Sequence, residues 1–386
     1  MPIDKKSITT IILKMAELYC IKCRTSYSIE EPRWQCQCGG LLDIIFEPEF
    51  PLKKIARRKL SLWRYREAIP IKDDAHIISF TEGFTPLINI PVEGKSILIK
   101  QEQLFSTGSY KDRGASVLIS QINALGIKKV VEDSSGNAGS AVAAYCANAG
   151  IECDIFVPAS TSKGKLNQIT LYGAHLHKIP GSREDTAAAV MIAAEKHYYA
   201  SHSWNPFFFQ GTKTFAFEVC EQLGWQAPDT VILPVGNGTL LLGTWMGFNE
   251  LKTAGIITKI PMIIGVQSAN CAPLYQAFKD NLQEIPAIKV EKTLAEGIAI
   301  ASPIRGKQIL EAVRKSGGDF LTVSETEIQQ AHLEMCARGY YIEPTSASTI
   351  AGIKKYVQHC SSNITNKELI VSAFTGHGLK GAAYKR

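Results

Sequence analysis

The sequence predicts an α/β protein with mostly parallel sheets and helices on both faces, built as two domains behind a small cysteine-rich module. From about residue 96 onward, short apolar strands alternate with amphipathic helices. That alternation is the signature of parallel sheets whose ligand sites lie at the C-terminal ends of the strands. The 386 residues, 45% of them apolar, are enough to bury two cores and something smaller. Four of the ten cysteines fall between residues 20 and 38, which marks the smaller piece.

Taken in chain order, the opening MPIDKKSITT has no apolar block followed by small residues, and no apolar run nears the roughly 18 residues a bilayer crossing needs. The expectation is a cytoplasmic chain without membrane contact. YCIKC and QCQCGG then form two knuckles, spaced so that the thiolates of Cys20, Cys23, Cys36 and Cys38 surround one zinc in a ribbon. Either a structural zinc closes this ribbon, or the knuckles keep its shape reduced and metal-free. In both cases the role is structural, because four thiolates leave no open position for a substrate. The other cysteines read as small core hydrophobes. KKIARRK, residues 53–59, reads as a solvated helix face. The formal charge of +6, from 42 basic and 36 acidic residues, is spread without a dense block. It suits an enzyme for anionic metabolites and argues against a nucleic-acid binder.

In the α/β part, SILIKQE reads as a strand and 112–125 as a helix. KKVVEDSS is again a strand and AGSAVAAYCANAG a helix, after which CDIFVP, AHLHKIP, TVILPVG, PMIIGVQ and ELIVSAF repeat the strand signal. Three glycine-containing loops follow strands. DSSGNAGS (133–140) opens a helix with hydroxyls, an amide and exposed N–H groups suited to a small anion. PVGNGTLLLG (234–243) lets backbone amides approach a phosphate, with Thr239 adding a hydroxyl. It lacks the lysine of a Walker loop and the spacing of a dinucleotide fingerprint. FTGHGLK (374–380) offers Thr375 and His377 in a turn. Together these loops suit a phosphorylated aromatic aldehyde whose carbonyl condenses with an amine, and Lys111 of FSTGSYKDRG (105–114) is that amine. Without the loops, the same Lys-Asp-Arg reads as a solvated helix start.

The segments SLWRYREAIPI, EGFTPL, STGSYKDRG, SSGNAGS, NPFFFQGTKTFAFE, PVGNGT, EPTSAS and TGHGLK stand in the order found in the threonine synthase family, and from about residue 60 to the end the chain resembles that branch of the fold type II pyridoxal-phosphate enzymes. The resemblance implies a zinc-ribbon-like module at 1–45, a large cofactor-binding α/β domain at 46–110 and 204–386, and a smaller inserted α/β domain at 111–203. It further implies a homodimer acting on a small amino-acid substrate. Residue by residue, Lys111 would carry pyridoxal phosphate as a Schiff base and move protons as general acid and base. Asn137 would meet the ring hydroxyl, Gly236, Asn237, Gly238 and Thr239 the phosphate, Thr375 the ring nitrogen, and Tyr110 would pack beside the cofactor. Ser134, Ser135, Asn137 and Ala138 would take the substrate carboxylate. The implied reaction converts O-phospho-L-homoserine and water to L-threonine and phosphate, with related replacement or elimination on another amino acid as the alternative (cysteate synthase-like or serine/threonine dehydratase-like).

One stretch departs from the family pattern. Where phosphohomoserine-using members are expected to carry Asn-Ser-x-Asn-Pro-x-Arg and then a glutamate, this chain has His202, Ser203, Trp204, Asn205, Pro206, Phe207, Phe208 and then Gln210. Phe208 cannot make the bidentate phosphate contact of an arginine. Either Lys163, Lys165, Lys213 or Arg305 compensates, with Ser203 and Lys163 as substrate contacts, or the leaving group is not phosphate. Core packing accounts equally well for Phe207–Phe209. His202 and His377 each read as an anion or cofactor contact, or as a structural histidine.

Overall fold

The computed structural model describes residues 16–161, 163–359 and 368–380; the side chains of 163–165 and of 359 lie outside that description. The N-terminal module consists of β1 (Glu17–Cys20), β2 (Ser26–Ser28) and β3 (Leu42–Ile45), antiparallel in the order β2-β1-β3. Strands this short cannot enclose a core by themselves, and the module leans on the main body. Leu18, Cys20, Cys36 and Leu42 join one hydrophobic cluster with Val117, Val142 and Phe208. Helix α1 (Leu52–Ile55) buries Ile55 and exposes Lys53 and Lys54, so the start of the basic stretch faces solvent.

Next come β4 (Leu87–Val92) and β5 (Lys95–Lys100), an antiparallel pair. The chain then runs through α2 (Lys111–Ala124), β6 (Lys129–Glu132), α3 (Asn137–Ala149), β7 (Glu152–Pro158), α4 (Lys163–Leu171), β8 (His175–Ile179), α5 (Arg183–Ala193) and β9 (Tyr198–Tyr199). These four strands form a wholly parallel sheet, ordered β8-β7-β6-β9. The return path is α6 (Pro206–Thr212), α7 (Thr214–Gln222), β10 (Thr230–Pro234), α8 (Thr239–Thr253), β11 (Met262–Ser268), α9 (Pro273–Lys279), α10 (Gly306–Lys315), β12 (Asp319–Val323), α11 (Glu325–Ala337), α12 (Pro344–His359) and β13 (Ile370–Ala373). The second sheet is ordered β12-β11-β10-β13-β5-β4, parallel except for the edge strand β4. Among the described residues no helix is long and apolar enough to cross a membrane.

Helix α2 differs from the expected amphipathic helix, because every residue from Asp112 to Ile122 is buried. Its polar groups therefore need internal partners. The largest, Arg113, bonds Glu102 and Glu218 at 2.6 Å each, and Lys100 lies 2.8 Å from the same Glu218. Glycines allow a close approach on the side facing α6. A Cβ on Gly114 would stand 2.3 Å from the Phe208 ring, and one on Gly211 would stand 1.9 Å from the Arg113 carbonyl oxygen. Phe208 thus fills the space that Gly114 leaves, which fixes the start of α2 and with it Lys111.

Candidate active site

The three glycine loops identified in the sequence follow β6, β10 and β13, and they meet at one cavity of about 1110 Å³. This is the strand-end position that a parallel sheet makes available to ligands. Lys111, the first residue of α2, extends into the cavity, where its Nζ donates to Tyr110 Oη at 2.6 Å and to Thr239 Oγ1 at 2.7 Å. The two hydroxyls are themselves 2.8 Å apart. Lys111 is thus held by two neutral oxygens, a triangle joining α2 to the start of α8.

On the β10 side, Gly238 adopts φ +72 ahead of α8, a left-handed backbone that favours glycine. Gly236 is packed so closely that a Cβ would lie 2.9 Å from Ile298 Cα. The loop brings Gly236, Asn237, Gly238 and Thr239 to the cavity wall at a helix N-terminus, where unpaired N–H groups and the helix dipole favour an anion. On the β6 side, Asp133, Ser134, Ser135, Asn137 and Ala138 line the same cavity. A Cβ on Gly139 would stand 1.9 Å from the Ser134 carbonyl oxygen, so glycine is what lets this loop fold down onto the first turn of α3.

On the β13 side, the Thr375 N–H donates to Ser346 Oγ at 2.8 Å, and Thr375 Oγ1 donates to Glu343 Oε1 at 3.2 Å. Asn137 Nδ2 donates to the other oxygen of Glu343 at 2.9 Å. Burial pushes the Glu343 carboxyl up, against the pull of Asn137, Lys380 and Thr375. Glu343 is the residue whose part was not legible in EPTSAS: it joins Asn137 and Thr375, two of the predicted site residues, across the cavity. His377 also lines the cavity, with its ring edge-on to Tyr341.

The other predicted contacts are placed differently. Ser203 lines a smaller adjoining cavity of about 360 Å³, which shares Asp133, Arg183, His202, Asn237 and Ile300 with the main one. Lys163 opens α4, but its side chain, like that of Lys165, lies outside the described residues. Lys213 is buried against Glu250 at 2.8 Å and lines neither cavity. Arg305 is also buried and committed elsewhere: it donates to Asp43 Oδ1, to the Leu42 carbonyl and to the carbonyls of Ser203 and Trp204. Phe208 is fully buried and does not line the cavity, so its packing against Gly114 accounts for it. The cations that do line the main cavity, beside Lys111, include Arg183, Lys292 and Lys380. Burial lowers Lys380 to about 8, although Asp112 and Glu343 attract its charge. None of these three was singled out in the sequence. Arg183 opens α5 in GSRED, behind a capping box formed by Ser182 and Asp185.

In the N-terminal module, Cys20 and Cys38 Sγ are 3.5 Å apart, as are Cys23 and Cys36 Sγ, and all four sulfurs lie within 4.8 Å of one another. Four thiolates at 2.3 Å from a tetrahedral zinc would be about 3.8 Å apart, so the set fits one ion. Gly40 is required at this place, since a Cβ there would come within 2.8 Å of Cys20 Sγ. Stripping metal with a strong chelator is expected to lower the melting temperature by at least about 5 °C. Metal analysis before and after, with calorimetry, checks this, and an unchanged transition in metal-depleted protein would speak for the metal-free ribbon.

The family model described as "Pyridoxal-phosphate dependent enzyme" matches residues 78–376. The chain is 39% identical to the threonine synthase of Methanocaldococcus jannaschii, over 94% of this chain and 92% of that protein. It is 33% identical to the threonine synthase of Methanosarcina acetivorans, over 95% and 92% respectively. Among solved structures, the serine racemase of Dictyostelium discoideum superposes with a TM-score of 0.66 at 25% identity, covering 83% of this chain and 99% of that one. A processed threonine deaminase from Solanum lycopersicum gives 0.67 at 22% identity, covering 82% and 89%.

Proposed function

Because the chain belongs to the pyridoxal-phosphate-dependent enzyme family and is a lyase like threonine synthase, we propose that it converts O-phospho-L-homoserine and water to L-threonine and phosphate. The observation that carries this reading is the meeting of Lys111 Nζ with Thr239 Oγ1, 2.7 Å apart, which puts an amine beside an anion-binding helix start. A phosphorylated aldehyde needs both at once. The residues fit the cofactor: the Gly236–Thr239 loop supplies phosphate donors, and Asn137 and Thr375 supply side-chain hydrogen bonds for the ring hydroxyl and the ring nitrogen. When bound, pyridoxal phosphate supplies a sink for electrons released from bonds at the substrate's α- and β-carbons.

The chain's own groups do the rest. Lys111 Nζ, kept in place by Tyr110 Oη and Thr239 Oγ1, would remove and return protons at the substrate's carbons. Ser134, Ser135, Asn137 and Ala138 receive the substrate carboxylate through hydroxyl and backbone donors. Arg183, Lys292 and Lys380 give the cavity the positive charge that a phosphate leaving group needs, in place of the missing arginine at 208. Water must enter only after phosphate has left, which closure of the cavity between the two sheets would enforce.

The buried Phe208 favours a second reading, replacement or elimination on another amino acid, since the family's phosphate-gripping position is apolar here. The two are separated by following released phosphate against ammonia and 2-oxo acid with phosphohomoserine, phosphoserine and threonine as substrates. Phosphate and threonine formed in equal amounts from phosphohomoserine are expected, and ammonia release from threonine alone would favour the second reading.

A further inference from the structure

His202 and Glu132 take no part in the steps above, yet they lie between the two loops that do. Glu132 ends β6 wholly buried, immediately before the Asp133–Ala138 loop. His202 Nδ1 lies 2.7 Å from Glu132 Oε1, and its Nε2 lies 3.1 Å from Asn237 Nδ2 in the β10 loop. The ring is edge-on to Phe208 at 6.0 Å, which fixes its plane. Burial lowers His202 well below the usual imidazole range, and the charges of Lys111 and Arg183 push the same way. Burial raises Glu132, with Asp133 adding to that and Lys111 opposing it. A neutral imidazole has one N–H, which Nδ1 donates to Glu132, leaving the Nε2 lone pair to accept from the Asn237 amide. Asn237 stands between two glycines, so its amide is a side-chain tether for that loop.

We propose that Glu132, His202 and Asn237 form a buried hydrogen-bonded relay in which His202 is a positioning residue, orienting the Asn237 amide and tying the phosphate-side loop after β10 to the carboxylate-side loop after β6. The proposal rests on the reading of Gly236–Thr239 as the phosphate loop. It explains why a histidine with two opposed polar partners is buried where the cavities adjoin, and why its carboxylate comes from one sheet and its amide from the other. The two loops then hold one spacing, so the distance between a phosphate and a carboxylate ligand is fixed before either binds.

The test compares affinity for pyridoxal phosphate with affinity for pyridoxal, which lacks the phosphate, by fluorescence titration of the full chain. His202→Leu is expected to weaken pyridoxal phosphate binding about tenfold while pyridoxal changes less than about twofold. His202→Gln, which keeps one donor and one acceptor, should restore the phosphate-specific affinity to within about threefold of the parent. Glu132→Leu, which frees the imidazole to turn, should reproduce part of the loss and serves if His202→Leu does not fold. Equal weakening of both ligands, or no rescue by glutamine, overturns the relay. If Asn237→Ala gives a phosphate-specific loss and neither the His202 nor the Glu132 variant does, the relay fails and the phosphate loop stands. If no variant changes the ratio of the two affinities, the phosphate assignment fails along with the relay.

Discussion

Lys111→Ala is expected to abolish covalent attachment of pyridoxal phosphate and to reduce turnover by at least about 10³-fold, with the fold retained. The residue is half-buried at the first position of α2, and its amine bonds only to Tyr110 and Thr239 hydroxyls among the partners described above, so truncation leaves no charge buried alone. The absorption band of the lysine-bound cofactor should vanish while far-ultraviolet circular dichroism is unchanged. Borohydride reduction and peptide mapping of the parent protein should find the label at Lys111. A label on another lysine, or undiminished turnover in the alanine variant, would sink the assignment of this site.

Arg113→Met should produce the largest loss of stability of any single change considered. Arg113 is wholly buried between Glu102 and Glu218, so the variant leaves two buried carboxylates with Lys100 as their remaining cation in the cluster. Breaking such a set costs about 3–5 kcal/mol, against a total stability of roughly 5–15 kcal/mol. Urea midpoints and melting temperatures report it directly, and a midpoint within error of the parent would refute the cluster's role. The acid limb gives a second readout. Burial alone would raise the Glu218 carboxyl, but Arg113 and Lys100 outweigh burial and hold it at about 2, below its ordinary 4.5. As pH falls, the unfolded chain therefore takes up this proton first. The stabilisation is full above 4.5 and is lost between 4.5 and about 2. Without Arg113 the depression shrinks, so that part of the acid limb should flatten.

The parallel strands and their loops are legible because short apolar runs and glycine-containing strand ends are local signals. The SILIKQE, TVILPVG and ELIVSAF segments became β5, β10 and β13, neighbours in one sheet. β4, β12 and the two-residue β9 carry no such signal: LINIPV is interrupted by Asn89 and Pro91, DFLTV has only three apolar residues, and YY is too short to show a period. Phe208 was ambiguous for a different reason. The space it fills is made by Gly114 on another helix, and one residue's packing partner is not written next to it. The same holds for Glu343 and Asn137, which meet across the cavity although 206 positions separate them in sequence. His202 reads as ligand or as packing in the sequence because Glu132 and Asn237, on its two nitrogens, lie 70 and 35 positions away.

Arg305 reaches from the body of the protein to Leu42 and Asp43 in the cysteine module, and to the carbonyls of Ser203 and Trp204 beside His202. Trp34 of the module packs edge-on against Tyr199 and Trp204 at the same seam. The cysteine-rich end is consequently no detachable ornament. A gene shortened to begin after residue 45 would encode a chain whose buried Arg305 has lost its carboxylate partner Asp43 and whose aromatic seam is uncovered, prone to clump in the cell rather than to work as a leaner catalyst.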